Sequence, residues 1–297
     1  MTELTGHASY DERKSIGPTP DLAAKSAICL ELAHNSSGSD VTIYEKDADK
    51  AMAPASIVKL MTAIVAIEKA SDFQLPKSFK LEMVPEDDVE GSGRNLHAGD
   101  RLSLGDSIAN LLVPSSNVAA NLIARTFGQM MLGSKTGTSH DAVQRFVAEM
   151  NTTARNLGMT KSQFLNPHGL AVRGQRSSAR DLSLLVKKCL IYGPITRVWG
   201  TKAFAIGITG PVPRRLVLKS AFHSSTRRAV PEFSLPQYLG GKTGTLWPAI
   251  FNLASVSATK NGGICISVSL GSPTIEERYH DYLKLVGLSN ELARGTV

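Results

Sequence analysis

Strand-like runs stand at both ends of this chain with a long helical stretch between them, and that bracketing limits the folds open to it. Near the start, residues 26–33 and 41–45 are apolar and β-prone, and the Asn-Ser-Ser-Gly-Ser cluster between them is a turn signal. They read as a hairpin. After residue 200 come "RRLVLKSAF", "FNLASVSAT" and "GICISVSLG", short runs rich in Val, Ile, Ser and Thr. Turn residues such as Lys260-Asn261-Gly262-Gly263 separate them. A strand face must be buried, so the economical arrangement pairs both sets in one antiparallel sheet covered by helices.

The middle of the chain is helical. Pro54 opens "ASIVKLMTAIVAIEKA", where Ile57, Leu60, Met61, Ile64 and Ile67 recur at three- and four-residue steps. "LSLGDSIANLLV" stops at Pro114, "NVAANLIARTF" follows, and "HDAVQRFVAEMNTTARNLGM" is a further helix. "SSARDLSLLVKKCLIYGP" begins at a capping box, Ser178 to Asp181, and ends at Gly193-Pro194. The tail "PTIEERYHDYLKLVGLSNELARG" is helical. The predicted fold is therefore α/β of the α+β kind: an antiparallel, five-stranded-type sheet under helices, plus a mainly helical lobe. Residues 1–21 are expected to form a flexible arm and 22–297 one domain. Its sheet lobe comprises about 22–68 and 200–297, its helical lobe about 69–199. A site is expected in the cleft between the lobes.

Bulk composition excludes several functions. No run approaches 18 apolar residues, so no membrane span is expected. The net charge of +7 is modest, and "VPRRLVLK" and "STRRAV" read as a solvated basic face, with no nucleic-acid partner expected. Cys29, Cys189 and Cys265 lie far apart in apolar stretches and read as buried free thiols. The seven histidines are scattered without H-E-x-x-H, so neither a metal nor a cofactor is expected. The first twenty residues contain no apolar segment of the kind that directs export.

Three short motifs carry chemistry. In Ser56-Ile57-Val58-Lys59, helical spacing lets the lysine amine reach the serine hydroxyl. A serine attacks only once a base removes its proton, and a lysine is that base only if burial or a neighbouring cation lowers its pKa. The second copy of this pattern, Ser257-Ala258-Thr259-Lys260, runs off a strand into a turn, where the two side chains need not meet. Ser115-Ser116-Asn117 lies between Pro114 and the next helix, on a rigid connection whose plain reading is a helix cap. Lys-Thr-Gly-Thr occurs twice. At 135–138 its Thr138 makes a T-x-x-D capping box with Asp141, which accounts for that copy structurally. At 242–245 it follows Gly-Gly and precedes a strand pattern. There a strand presents Lys242 and Gly244 on one side, and glycine lets a ligand approach the backbone.

The order Ser56/Lys59, Ser115/Asn117, Lys242-Thr243-Gly244 is the signature of penicillin-interacting serine enzymes. With "YEKDADKAMAPASIVKLMTAIVAIE", "HAGDRLSLGDSIANLLVPSSNVAANLIA", "ARNLGMTKSQFLNPHGL" and "SARDLSLLVKKCL", the chain resembles the serine-type D-alanyl-D-alanine carboxypeptidases. These are the low-molecular-mass penicillin-binding proteins of the β-lactamase and transpeptidase-like superfamily, and the similarity spans roughly residues 25 to 275. The resemblance implies that Ser56 forms an acyl-enzyme with Lys59 as its general base. It implies that Ser115 relays a proton to the leaving D-alanine and that Asn117 binds the substrate amide. Lys242 would supply positive potential, Thr243 and Thr245 would hold the terminal carboxylate, and the amides of Ser56 and Thr245 would form an oxyanion hole beside Gly244. The implied partners are peptidoglycan stem peptides ending in D-Ala-D-Ala and β-lactam antibiotics, in the periplasm or cell wall.

The chain departs from the family at Val118, where Asp is common, and at Asn95-Leu96-His97, where a Ser-x-Met-like segment is frequent. Neither a C-terminal β-domain nor an amphipathic anchor is expected after the last strand. The alternative reading keeps the nucleophile but makes the enzyme an amidase, acyltransferase or β-lactamase-like hydrolase of a small amide, in the cytoplasm. No E-x-x-L-N is present to supply a β-lactamase's water-activating carboxylate. Asn166 and His168 with Asp181 offer a Ser-His-Asp arrangement, but without a G-x-S-x-G elbow a structural loop beside the cleft is expected.

Overall fold

The computed structural model describes residues 20–33, 38–133, 137–229 and 237–292. Most of the expected N-terminal arm, the centre of the first turn, and Lys135 and Thr136 of the first Lys-Thr-Gly copy lie outside them. Strands β1 (Ser26–Glu31) and β2 (Val41–Lys46) form the expected antiparallel hairpin. A single 3-10 turn at Ala55–Ile57 then leads into α1 (Val58–Asp72). A short hairpin, β3 (Lys80–Glu82) with β4 (Arg101–Ser103), precedes α2 (Leu104–Leu112), α3 (Asn117–Leu132) and α4 (Ser139–Asn156). Then come α5 (Ala179–Cys189), α6 (Gly193–Trp199), β5 (Ala203–Ile208), β6 (Arg214–Lys219) and α7 (Ala221–Ala229). The chain closes with β7 (Tyr238–Leu246), β8 (Ile250–Ala258), β9 (Ile264–Ser272) and α8 (Ile275–Leu292).

The two ends of the sequence meet in one five-stranded antiparallel sheet, ordered β2-β1-β9-β8-β7. Both faces are covered, and β9 shows how its sequence accommodates that. Ile266, Val268 and Leu270 enter the main core with α1 and α5, while Cys265 alternates onto the face covered by α8. Buried Ser267 between them is paired: its Oγ lies 2.8 Å from Ser255 Oγ of β8. Cys29 and Cys265 are buried free thiols on adjacent strands, with their sulfurs 3.2 Å apart. β7 is the edge strand, so one of its sides is open to other elements.

Helix α1 is more deeply placed than its pattern predicts. The apolar spacing describes one stripe, yet every residue from Val58 to Ala66 is buried, Lys59 and Thr62 included. The helix runs between the sheet and the helical layer, touching α2, α3, α4 and α5. Burying an amine there costs free energy that packing does not return, which marks Lys59 for chemistry.

Three sequence expectations are corrected. "RRLVLK" does not join the main sheet; as β6 it pairs with β5, a strand the periodicity missed, in a separate hairpin beside α2 and β4. Gly193-Pro194 does not merely end a helix: α5 stops at Cys189, and the proline sits in the first turn of α6, where its missing N–H costs nothing. The Ser178–Asp181 box is half formed. Ser178 caps the Asp181 amide, but the Asp181 carboxylate turns to Lys161 N and Ser162 Oγ instead.

Candidate active site

Ser56 sits in the 3-10 turn immediately before α1, and Lys59 follows one turn later. The residue before Ser56, Ala55, has φ of +52°, a left-handed conformation that a side chain adopts only under constraint. Part of the constraint is the loop carrying Gly169, where an added Cβ would stand 2.1 Å from the Ala55 carbonyl oxygen. Lys59 Nζ lies 2.9 Å from Ser56 Oγ and donates to Asn117 Oδ1 at 2.7 Å and to the His168 carbonyl at 2.6 Å. Those last two acceptors fix two amine hydrogens, which directs the remaining amine position at Ser56. Burial, and then the positive charge of Lys242, hold the Lys59 pKa well below that of an ordinary lysine. A neutral amine whose lone pair faces a serine hydroxyl is a general base.

Ser115 and Asn117 reach the same place from the α2–α3 connection. Ser115 has φ of +65°, and the loop is held by a segment in which the sequence showed no function. Ser92 Oγ donates to Ser115 O, Asn117 N donates to Ser92 O, and Ser116 Oγ donates to Gly93 O. Gly93 has φ of +71°, and a Cβ there would lie 2.4 Å from Ser116 Cα, so glycine is required. Ser116, not Ser115, caps α3, which frees the Ser115 hydroxyl for the cleft. Asn117 also positions the base: Oδ1 accepts from Lys59 while Nδ2 donates to Glu90 O at 2.7 Å. Each end of the amide keeps one further hydrogen-bonding position, a lone pair on Oδ1 and a hydrogen on Nδ2.

The third wall is edge strand β7. Its alternate residues Lys242, Gly244 and Leu246 share one side. Lys242, 2% exposed, donates from Nζ to Ser115 Oγ at 2.8 Å and to Thr243 O at 3.0 Å. Burial, then the nearby Arg278 charge, bring the Lys242 pKa down to about 7. At Gly244 a Cβ would stand 2.7 Å from Pro54 O and 3.0 Å from Ala55 Cβ, so a larger residue could not lie against the nucleophile's turn. Thr245 faces Arg278 of α8, which donates from Nη1 to Thr245 Oγ1 at 3.2 Å. Thr243 contributes its carbonyl to Lys242.

Arg278 was missed in the sequence. It lies in a tail legible only as a helix, beside two glutamates that make a solvent-exposed pairing the obvious reading. Instead it is buried, and its Nε has no hydrogen-bond partner. Three buried basic side chains thus gather here, and none forms an ion pair with a described carboxylate. An anionic ligand group is what such a site lacks.

The competing motifs resolve structurally. The His168 ring is buried and accepts from Leu170 N at 3.2 Å, and burial and Lys59 push its pKa down to about 3. Asp181 is committed to Lys161 N and Ser162 Oγ, so no Ser-His-Asp triad forms. Ser257 pairs with the Tyr282 hydroxyl inside the sheet–helix interface, away from Lys260 in its exposed turn. Thr138 and Asp141 make the full capping box of α4. Among the described residues no group of His, Cys, Asp and Glu could hold a metal. No described helix is long and apolar enough to cross a membrane.

Comparison with known proteins agrees with this geometry. The chain is 28% identical over 271 residues to the D-alanyl-D-alanine carboxypeptidase DacF of Bacillus subtilis, covering 90% of this chain and 63% of that protein. It therefore spans less than two thirds of the length of that relative. The crystal structure of the Streptomyces K15 DD-transpeptidase superposes with a TM-score of 0.77 at 24% identity, over 92% of this chain and 99% of the other. Penicillin-binding protein D2 of Listeria monocytogenes, in its cefotaxime-bound form, gives 0.70 at 26% identity, over 92% and 99%. The model of the serine peptidase family S11, D-alanyl-D-alanine carboxypeptidase, matches residues 13–274, and the chain belongs to that family.

Proposed function

We propose that residues 22–292 form one catalytic unit that removes the terminal D-alanine from peptides ending in D-Ala-D-Ala and that is acylated by penicillins. The observation that carries this reading is the meeting of two buried lysines, each bonded to a different serine, with no described carboxylate paired to either. Neutral Lys59 takes the Ser56 proton as Oγ attacks the carbonyl of the penultimate residue. Ser115 then donates its hydroxyl proton to the departing nitrogen as the C–N bond breaks and D-alanine leaves, and takes a proton in turn from Lys242. Water cleaves the resulting ester, its proton passing through Ser115 back to Lys242, while Lys59 returns to Ser56 Oγ the proton it took. The substrate's terminal carboxylate supplies the anion that Lys242, Thr245 and Arg278 lack. Donors aimed at the developing oxyanion, the Ser56 and Thr245 amides, would each contribute roughly 10²–10³ in turnover. No metal or cofactor is needed for these steps. Among the described residues no carboxylate side chain bonds Ser56, Lys59 or Asn117, so a penicillin adduct should be long-lived. The site of action that goes with this reading is the periplasm or cell wall, where relatives of this family work on such peptides.

A fluorescent penicillin should label the wild type and add one adduct by intact mass, and Ser56→Ala should abolish both. D-alanine should be released from an acyl-D-Ala-D-Ala tripeptide. Labelling that persists in Ser56→Ala would remove the nucleophile.

A further inference from the structure

Cys29 and Cys265 take no part in the chemistry above, yet they meet in the sheet from opposite ends of the chain. In the antiparallel β1–β9 register Cys29 stands opposite Ser267, and Cys265 opposite Glu31. Residues two apart on a strand share a face, so the two cysteines are diagonal neighbours on one side of the sheet. That side lies under α8, where they form a small apolar cluster with Leu22, Ala27 and Leu285. Ile28, Ile266 and Val268, which alternate with them, face the core that contains α1. Diagonal neighbours often stand too far apart to be joined, but here the sulfurs have already converged to 3.2 Å. The Leu285 carbonyl of α8 lies 3.5 Å from Cys29 Sγ. A disulfide bond is about 2.05 Å long, so the sulfurs need to close by only roughly 1 Å in all, a shift that turning both side chains about χ1 supplies. Cys189 is buried in the main core, apart from this pair.

We propose that Cys29 and Cys265 are a redox pair that closes to a disulfide when the chain meets a disulfide oxidant, locking the first strand to the last. The two sulfurs have different parts. Hydrogen bonds from Cys29 and then Ser289 hold the Cys265 thiol below its ordinary pKa, against the effect of burial. The thiolate is the attacking form, so Cys265 reacts first. It attacks one sulfur of the oxidant, whose S–S bond breaks and releases one thiol. Cys29 then loses its proton, attacks the Cys265 sulfur and displaces the second thiol. Two S–H bonds of the protein become one S–S bond, and the oxidant's disulfide is reduced to two thiols. Because α8 covers the pair, exchange occurs as the chain folds or as α8 lifts. Oxidants of this class belong to the cell exterior, so their supply rests on the place of action proposed above, whereas the pairing does not. The cysteines are 236 positions apart, and closing so long a loop strongly restricts the unfolded chain.

Thiol counting on the full chain decides it. Folded protein is held with oxidised glutathione, and a second sample is unfolded in urea and refolded in mixed oxidised and reduced glutathione. Each is then acid-quenched, unfolded and alkylated with N-ethylmaleimide. Intact mass should show one alkylated thiol, Cys189, against three in protein kept with reductant. A digest should join the peptides carrying Cys29 and Cys265, and the bond should raise the melting temperature by roughly 5 °C. Cys29→Ser and Cys265→Ser should each lose the joined peptides and that rise. Three alkylated thiols in both treated samples, or a bond through Cys189, would overturn the pair. So would a melting temperature lowered by oxidation, because the bond would then strain the native sheet. Penicillin labelling should run at one rate in the oxidised and reduced forms, since the pair faces away from α1. Absence of labelling in both forms would remove the carboxypeptidase reading and leave the disulfide standing.

Discussion

Buried cations are handled in opposite ways in two parts of this molecule. Under β3, Arg125 of α3 donates from Nε and Nη2 to both oxygens of Asp87 at 2.8 Å and also reaches the Glu82 carbonyl. That charge is answered inside the protein. In the cleft, the hydrogen-bond partners of Lys59, Lys242 and Arg278 among the described residues are hydroxyls, carbonyls and an amide. The first arrangement serves the fold. The second leaves positive potential unspent, lowers the pKa of Lys59 and Lys242, and waits for an anion. A charge balanced in place is structural, and a charge left unbalanced is available to a ligand.

The comparison breaks most sharply at Lys59. In Lys59→Met, acylation by penicillin should fall by about 10³-fold or more, followed as the rate of adduct formation by mass. A loss under tenfold would mean that another base serves Ser56. Next is the balanced pair. In Asp87→Asn, Arg125 is left charged and buried, and urea unfolding should lose about 3 kcal/mol while the labelling rate of the folded fraction stays at the wild-type value. If activity collapsed with stability retained, the separation between the two regions would be false.

Lys242→Met should do the reverse, losing D-alanine release yet gaining about 1 kcal/mol of stability at pH 7. The sign follows from its depressed pKa. The unfolded lysine holds its proton up to about 10.5 while the folded one releases it near 7, so the wild type is destabilised as pH falls from about 10.5 towards 7. The advantage of the variant should therefore shrink as pH rises towards 10.5, seen in melting curves across that range. Removing this charge should also raise the Lys59 pKa and move the acidic limb of the acylation profile to higher pH. The smallest effect is at the surface. Arg94 and Asp88 pair with side chains 57% and 43% exposed, and Arg94→Ala should leave both melting temperature and labelling unchanged.

Much of this was legible in the residues. The bracketing strands, the helices beginning at Ser139 and Ala179, and the choice of Lys242 over Lys135 all rested on local pattern and capping. The β5–β6 hairpin was less visible, because β5, "AFAIGI", is too short and too even in hydropathy to stand out. The contact between Asn117 and Lys59 was not legible, because a motif names a residue type and not the partner its amide will find. Arg278 left no trace, since its partner Thr245 lies 33 residues away on another element.

What the sequence determined unaided was a set of short-range facts: which segments are helix or strand, and which serine has a lysine one turn away. Spacing along a chain dictates these because backbone geometry repeats over a few residues. Only the tertiary structure decided that Lys59 is buried with its pKa held down, that Asn117 accepts from it, and that Arg278 is buried close to Lys242. Those depend on desolvation and on contacts between residues far apart in sequence, which exist only once the sheet has closed against α1.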